Sequence, residues 1–394
     1  DYSNGTALRN SYGSYKGMIP IRDAIATSSN VVALKTYQMA GEARVFRYLQ
    51  KFGITTLTEE DKNEALAIGG TYNGVTNLQV TAAYNAIANS GNFVEPYFYT
   101  KVVNRNGSIL LENNKSQEPV IYKETAALLT IAMQEVMKTG TGKSAAVSGL
   151  ELAGKSGTTN ENKDVWFVGF SGTYTCGIWG GHDDYSKQGG SGYVKKIWKD
   201  VMKAAHEGVP KKDLVDESVL VSAKICTKCG NLAVEGLCDK ASQGNMTREE
   251  WFAIGFEPKK NCDCHVKVNT CQTTGARAKK FCPVAGKQEI VYLKNGTTGT
   301  EDEAFVIPEI AETSCTEHTD FWDLLFGDDK EKPEYKPEMD ASQEGVENPE
   351  EELQNPEEEL QNPEEDQYWP EEDSNASYPD QENWWNGDWW NQFF

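Results

Sequence analysis

Leu150-Glu151-Leu152-Ala153-Gly154-Lys155-Ser156-Gly157-Thr158 decides the fold, together with Asp164-Val165-Trp166-Phe167-Val168-Gly169-Phe170 and Tyr174-Thr175-Cys176-Gly177-Ile178-Trp179. Each segment is short and apolar or β-branched, and Ser171-Gly172 between the last two suits a hairpin turn, so together they predict an antiparallel sheet. Helices are expected around it. Pro20 suits a first helical turn, and Ile21, Ala24 and Ile25 share one helix face until the polar Thr27-Ser28-Ser29-Asn30 interrupts it and Val31 to Leu34 resume. Further helices are predicted where Val45, Phe46 and Leu49 lead to Gly53, over 78–88, and over 125–137, which runs into Thr139-Gly140-Thr141-Gly142. A last amphipathic helix carries Val194, Ile197, Trp198, Val201 and Met202 on one stripe. The class is α/β (α+β), an antiparallel sheet flanked by helices.

The 394 residues suffice for a buried core and about two domains. Charge divides the chain unevenly. Residues 327–394 hold 23 Asp or Glu against three Lys, a net of −20, which leaves −2 of the total −22 for everything before them. The folded part is therefore nearly neutral, and no basic face marks it for nucleic acid. The sequence opens at Asp1 without a leader or an apolar run long enough to cross a bilayer, and it is expected to be a piece of a longer protein.

Two short motifs carry chemistry. Lys155-Ser156-Gly157-Thr158 alone is an ordinary polar strand end, and Ser28-Ser29-Asn30 alone an ordinary helix cap. Order and surroundings change their meaning. Ala67-Ile68-Gly69-Gly70, Gly74-Val75 and Ala82-Ala83-Tyr84-Asn85 lie between them, and Thr139 to Gly142 and Asp164-x-Trp166-Phe167-x-Gly169 flank the Lys-Ser-Gly-Thr string. Over roughly 10–208 this succession closely resembles the second half of the transpeptidase domain of class A (bifunctional) penicillin-binding proteins. No Ser in the chain is followed three positions later by Lys, so the Ser-x-x-Lys nucleophile element of that family is absent from these residues. Ser156 stands where Thr is commoner, which keeps the hydroxyl.

The resemblance implies a penicillin-binding, serine β-lactamase-like transpeptidase fold and a peptidoglycan cross-linking D,D-transpeptidase. Such an enzyme cleaves D-alanyl-D-alanine through a serine acyl-enzyme and passes the acyl group to an amine of a neighbouring stem peptide. By the same resemblance Lys155 supplies positive charge, and the Ser156 and Thr158 hydroxyls bind the terminal carboxylate of a stem peptide or of an inhibiting β-lactam. Gly157 keeps side-chain bulk away from the ligand, and the Thr158 N–H is one oxyanion donor. Ser28 relays a proton, and Asn30 holds the amide side of the substrate. No cofactor or metal is called for in that site. An upstream stretch is expected to supply the nucleophile, a glycosyltransferase domain and a single-pass membrane anchor, placing the protein on the extracytoplasmic face of the cell membrane among cell-wall, divisome or elongasome partners. Plainer roles are expected for neighbours: strand core for Trp166, Phe167 and Trp179, a strand-end loop for His182, and a turn for Thr139 to Gly142, which lacks phosphate-loop spacing.

The divisions expected are 1–209 for the transpeptidase part, 210–326 for a Cys-rich extension and 327–394 for a disordered acidic tail. Cys226-x-x-Cys229, Cys238, Cys262-x-Cys264-His265, Cys271, Cys282 and Cys315 crowd a region of weak hydrophobic periodicity. An extracytoplasmic site favours four disulfides among these eight, and zinc is the rival because the ligand types and local spacing suit a tetrahedral site. The tail repeats Asn-Pro-Glu-Glu-Glu-Leu-Gln from Asn348 and Asn355, too polar and Pro-interrupted to pack, and ends in Trp384-Trp385, Trp389-Trp390 and Phe393-Phe394. Other function classes remain open: a non-catalytic β-lactam or peptidoglycan-binding module that lost the nucleophile, and an interaction protein built around the cysteines and tail. A serine β-lactamase is disfavoured by the long C-terminus and the lack of a hydrolytic base motif.

Overall fold

The computed structural model describes residues 2–114, 116–294 and 300–318. The acidic repeats and Trp-rich end expected over 327–394 lie outside the described residues. Residues 2–278 and 282–315 form one compact unit, and a second is divided from it at Lys279–Phe281 and after Cys315. All the elements named below belong to the first.

The chain folds into α1 (Ile21–Ala26), α2 (Asn30–Ala40), α3 (Glu42–Lys51) and α4 (Asn77–Ala88). Two small hairpin-like pairs follow, β1 (Asn92–Val94) with β4 (Gln117–Pro119) and, between them, β2 (Lys101–Val103) with β3 (Ile109–Glu112). Then come α5 (Lys123–Lys138), β5 (Ala153–Thr158), β6 (Asp164–Phe170), β7 (Thr175–Gly181) and α6 (Gly192–Ala205). The predicted strands form one antiparallel sheet in the order β5-β6-β7, with Lys155 opposite Val168, Thr158 opposite Val165, and Trp166 opposite Trp179. The Ser171–Tyr174 turn closes through Ser171 N–H donating to Tyr174 O at 2.9 Å.

Alternation along β6 sends side chains to both faces. Phe167 joins Val165, Val194, Trp198 and Met202 under α6, whereas Phe170 joins Ala153, Met133 and Leu214 under α5. Phe167 and Trp198 meet edge-on with ring centroids 5.0 Å apart, and Trp198 Nε1 donates to Cys176 O at 2.9 Å, which satisfies the buried indole. A Cβ on Gly169 would lie 2.9 Å from the Trp198 ring and 2.5 Å from Ala153 O, so glycine is what lets α6 and β5 approach there.

Two expectations need correction. Ile197 and Val201 are 45% and 43% exposed, so the buried stripe of α6 is only Val194, Trp198 and Met202. Trp179 is also exposed rather than core: it lies on the outer strand, its Nε1 donating to Asp164 Oδ1 at 3.0 Å.

The Cys-rich part builds two antiparallel hairpins, β8 (Leu220–Cys226) with β9 (Thr247–Ala253) and β10 (His265–Cys271) with β11 (Lys287–Leu293). Leu232 bridges to Ile225 and Asn261, and Ala241 to Val291, so the two hairpins are tied together. The eight cysteines of this region are buried, five around Leu293 and three around Ala276. Within the first group the Cys264 sulfur stands 3.8 Å from that of Cys226 and 3.5 Å from that of Cys262, well beyond the length of a disulfide bond. Val219 and Leu220 pack on Ala127 of α5, which seats the region on the transpeptidase-like part.

Candidate active site

The site is built where α1 gives way to α2. Thr27 Oγ1 turns back to donate to Asp23 O at 2.8 Å, ending α1, and Ser29 Oγ caps α2 by accepting from Val32 N–H at 3.4 Å. Ser29 is itself held by donating to Asn10 Oδ1 at 3.0 Å, an oxygen that also accepts from Val31 N–H at 3.2 Å. Between these two anchored ends Ser28 has φ 56°, a left-handed conformation that costs a residue bearing a Cβ about 1–2 kcal/mol.

That turn directs Ser28 at β5. Lys155 Nζ donates to Ser28 Oγ at 2.7 Å and to Ser156 O at 3.0 Å. Burial pushes the Lys155 amine down to about 8, and the positive charge of Lys195 on α6 adds to the effect. Ser156 Oγ donates to Thr141 Oγ1 at 2.8 Å, and Lys195 Nζ donates to Thr141 O at 3.0 Å. The loop carrying Thr141 is fastened to α1, since Thr141 N–H donates to Ala26 O at 3.1 Å; a Cβ on Gly140 would lie 2.2 Å from that same oxygen.

The structure therefore brings Ser28, Lys155 and Ser156 together from segments 127 residues apart in sequence. Thr158 sits exposed at the end of β5, on the same strand face as Ser156 by alternation. Gly157 pairs with Trp166, where an added Cβ would make an ordinary 3.4 Å contact, so nothing on the protein side demands glycine. Asn30 is the first residue of α2, and its Nδ2 donates to Arg9 O at 3.0 Å, holding the segment that precedes α1. His182 follows β7, and no other residue of the site reaches it among the contacts described. Thr141 and Lys195 were not foreseen as site residues. Thr141 was legible only as part of a Gly-rich turn, and Lys195 is one of several polar-face lysines of α6 with no local signal.

A lysine on an antiparallel strand, hydrogen-bonded to a serine at a helix junction and flanked by hydroxyls, on a sheet covered by helices on both faces, defines a transpeptidase domain of the penicillin-interacting kind. Residues 2–203 match the family described as penicillin binding protein transpeptidase domain, and residues 217–267 match the penicillin-binding protein 1A C-terminal domain. The chain belongs to the penicillin-binding protein transpeptidase family, and the two matches in that order bear out the resemblance to class A members. It is 31% identical over 318 residues to penicillin-binding protein 1A of Clostridium botulinum, covering 78% of this chain and 38% of that protein. It is 35% identical over 217 residues to penicillin-binding protein 1A of Clostridium acetobutylicum, covering 54% and 27% respectively. The crystal structure of penicillin-binding protein 1A from Haemophilus influenzae shares the fold, with a TM-score of 0.56 at 24% identity over 66% of this chain and 44% of that one. The chain thus spans well under half the length of the relatives it matches. Among the described residues no helix is long and apolar enough to cross a membrane.

Proposed function

We propose that this chain supplies the carboxylate-binding and proton-relay side of a serine-type D,D-transpeptidase that cross-links peptidoglycan stem peptides and is inhibited by β-lactams. The observation that carries the reading is the 2.7 Å bond from Lys155 to Ser28. In the reaction a serine oxygen attacks the penultimate D-alanine carbonyl, the C–N bond to the terminal D-alanine breaks, and the departing amine takes up a proton. An amine of a second stem then displaces the serine from the acyl-enzyme.

An amine with a pKa of about 8 is mostly protonated at neutral pH yet able to exchange its proton, and Ser28 is the hydroxyl through which it would pass. Arrival of a carboxylate raises that pKa again, so Lys155 serves as counter-charge when ligand is bound. Ser156 and Thr158 would present hydroxyls to the same carboxylate along the outer edge of β5, past the side on which Lys155 and Gly157 lie. The Thr158 N–H would be one oxyanion donor, and Asn30 borders the amide side of the substrate. The nucleophile has to come from outside these 394 residues. We place it, with a glycosyltransferase domain and a membrane anchor, in a preceding part of the same polypeptide, and the whole on the extracytoplasmic face of the cell membrane.

Fluorescent penicillin tests this. The full-length protein is expected to be acylated, Lys155→Ala to slow acylation about a hundredfold or more, and Val201→Ala on the outer face of α6 to leave it unchanged. The 394-residue chain alone is expected to take no covalent label. Rapid labelling of that chain, or wild-type labelling of Lys155→Ala, would overturn the reading. Reversible penicillin binding by a full-length protein that is never acylated would establish a non-catalytic binding module instead.

A further inference from the structure

The Cys226–His265 region gathers more sulfur than two disulfides can use. Cys226, Cys229, Cys262 and Cys264 are all buried, and their four sulfurs lie within 4.8 Å of one another. The Cys226–Cys264 and Cys262–Cys264 separations are 3.8 Å and 3.5 Å. A tetrahedron of thiolates about 2.3 Å from a zinc ion has edges of about 3.8 Å, whereas a disulfide needs about 2.05 Å.

One tight turn presents two of the sulfurs side by side. Cys226-Thr227-Lys228-Cys229-Gly230 forms a tight turn closed by Gly230 N–H to Cys226 O and Cys226 N–H to Asn231 O, both 2.8 Å, with Gly230 at φ 75°. The imidazole Nδ1 of buried His265 lies 3.4 Å from both Cys226 and Cys262 and 3.6 Å from Cys264. Apolar groups, Leu293 with Phe305 and Val306, complete the enclosure and keep out the water that would otherwise solvate charge.

We propose that Cys226, Cys229, Cys262 and Cys264 bind one structural zinc ion, with His265 as a positioning residue donating to the thiolate cluster. Cys238 is left outside the ligand set: its sulfur accepts from Val234 N–H at 3.3 Å and holds the intervening loop. A closed tetrathiolate site has no open position, so the ion's work is to staple the ends of β8 and β10 to the loops between them.

The 394-residue chain, expressed with zinc and purified without chelator, should retain metal by elemental analysis. Cys229→Ser and Cys264→Ser should each hold one zinc fewer per chain than wild type, and Cys176→Ser, in the transpeptidase sheet, should hold the same. Reading the difference from wild type keeps any metal at the separate Cys271, Cys282 and Cys315 group from confusing the count. Should those variants fail to fold, cobalt substitution of a Cys282→Ser chain, in which the separate Cys271, Cys282 and Cys315 group is broken, decides instead, since four thiolates give tetrahedral d–d bands with strong sulfur charge transfer. Absence of those bands, or non-reducing mass mapping that finds the four cysteines joined in disulfides, would overturn the site. Retention of zinc by Cys229→Ser with loss in Cys238→Ser and His265→Ala would overturn the ligand set.

Discussion

Ser28 pays a backbone penalty for its position, and the two groups that hold it there, the Thr27 turn and the Ser29 cap, are both local. Ser28→Gly and Ser28→Ala remove the same hydroxyl, but only glycine relieves the left-handed strain. Chemical denaturation is therefore expected to find the glycine variant more stable than the alanine variant by about 1 kcal/mol, with both slow in penicillin acylation of the full-length protein. Lys155 shows the electrostatic counterpart. Its folded-state pKa of about 8 lies below the ordinary 10.5, so between those values the unfolded chain keeps a proton that the folded chain has released. Stability from this group therefore rises as pH increases from about 8 to 10.5, and the penalty is fully present below 8. Lys195→Met removes the neighbouring like charge while leaving the burial, so the Lys155 midpoint is expected to move up, by less than the whole shift. Titration of the Lys155 side chain by NMR measures it, and an unchanged midpoint would show that burial alone sets the value.

At the scale of elements, α6 shows how a helix is fixed by fewer residues than its apolar stripe suggests. Trp198 is fully buried against Phe167 and hydrogen-bonded to Cys176 O, so Trp198→Ala leaves a cavity and an orphaned carbonyl and is expected to cost about 3–5 kcal/mol. Ile197→Ala, one residue away on the exposed side, is expected to change stability by no more than about 0.5 kcal/mol. Thermal melts of the two variants give the comparison directly. The loop after α5 is constrained in a different way: Gly140 must lack a Cβ because Ala26 O occupies its place. That contact links the end of α5 to the end of α1, and through Thr141 to Ser156 on β5.

In the whole molecule the Cys-rich hairpins are fastened to α1, the helix that leads to Ser28. Arg22 of α1 pairs with Glu250 of β9, and Arg248 of β9 donates from Nη1 to both carboxylate oxygens of Asp23 at 2.8 Å. Opposite α1, Thr227 and Lys228 of the Cys226–Cys229 turn share a surface cleft with Met18, Pro20 and Asp23. Because α1 ends at Ala26, two residues before Ser28, these ion pairs act on the segment that positions Ser28 without touching Ser28 itself. A double-mutant cycle on Arg248→Ala and Asp23→Ala is expected to give a coupling of about 1 kcal/mol, modest because both side chains are partly exposed. The same Arg248→Ala change should slow acylation of the full-length protein; additive effects on stability with unaltered acylation would show that the two parts are merely adjacent.

The helices, the three-stranded meander and the two motifs could be found from sequence because each rests on local periodicity, turn chemistry and residue type. The strand starting at Ala153, the helix ending at Lys138 and the polar break at Ser28 all fall close to where pattern alone put them. Which face of α6 is buried, and that Trp179 lies outside the core, required knowing where the sheet ends, since an apolar residue beside an edge has no partner to cover it. Thr141 and Lys195 enter the site only through chain crossings, and the conformation of Ser28 follows from anchors on both sides of it. The cysteine spacing left bridges and metal as rivals. Only tertiary structure brings the four sulfurs to one place, because their convergence depends on how two hairpins pack and not on how many residues separate their cysteines.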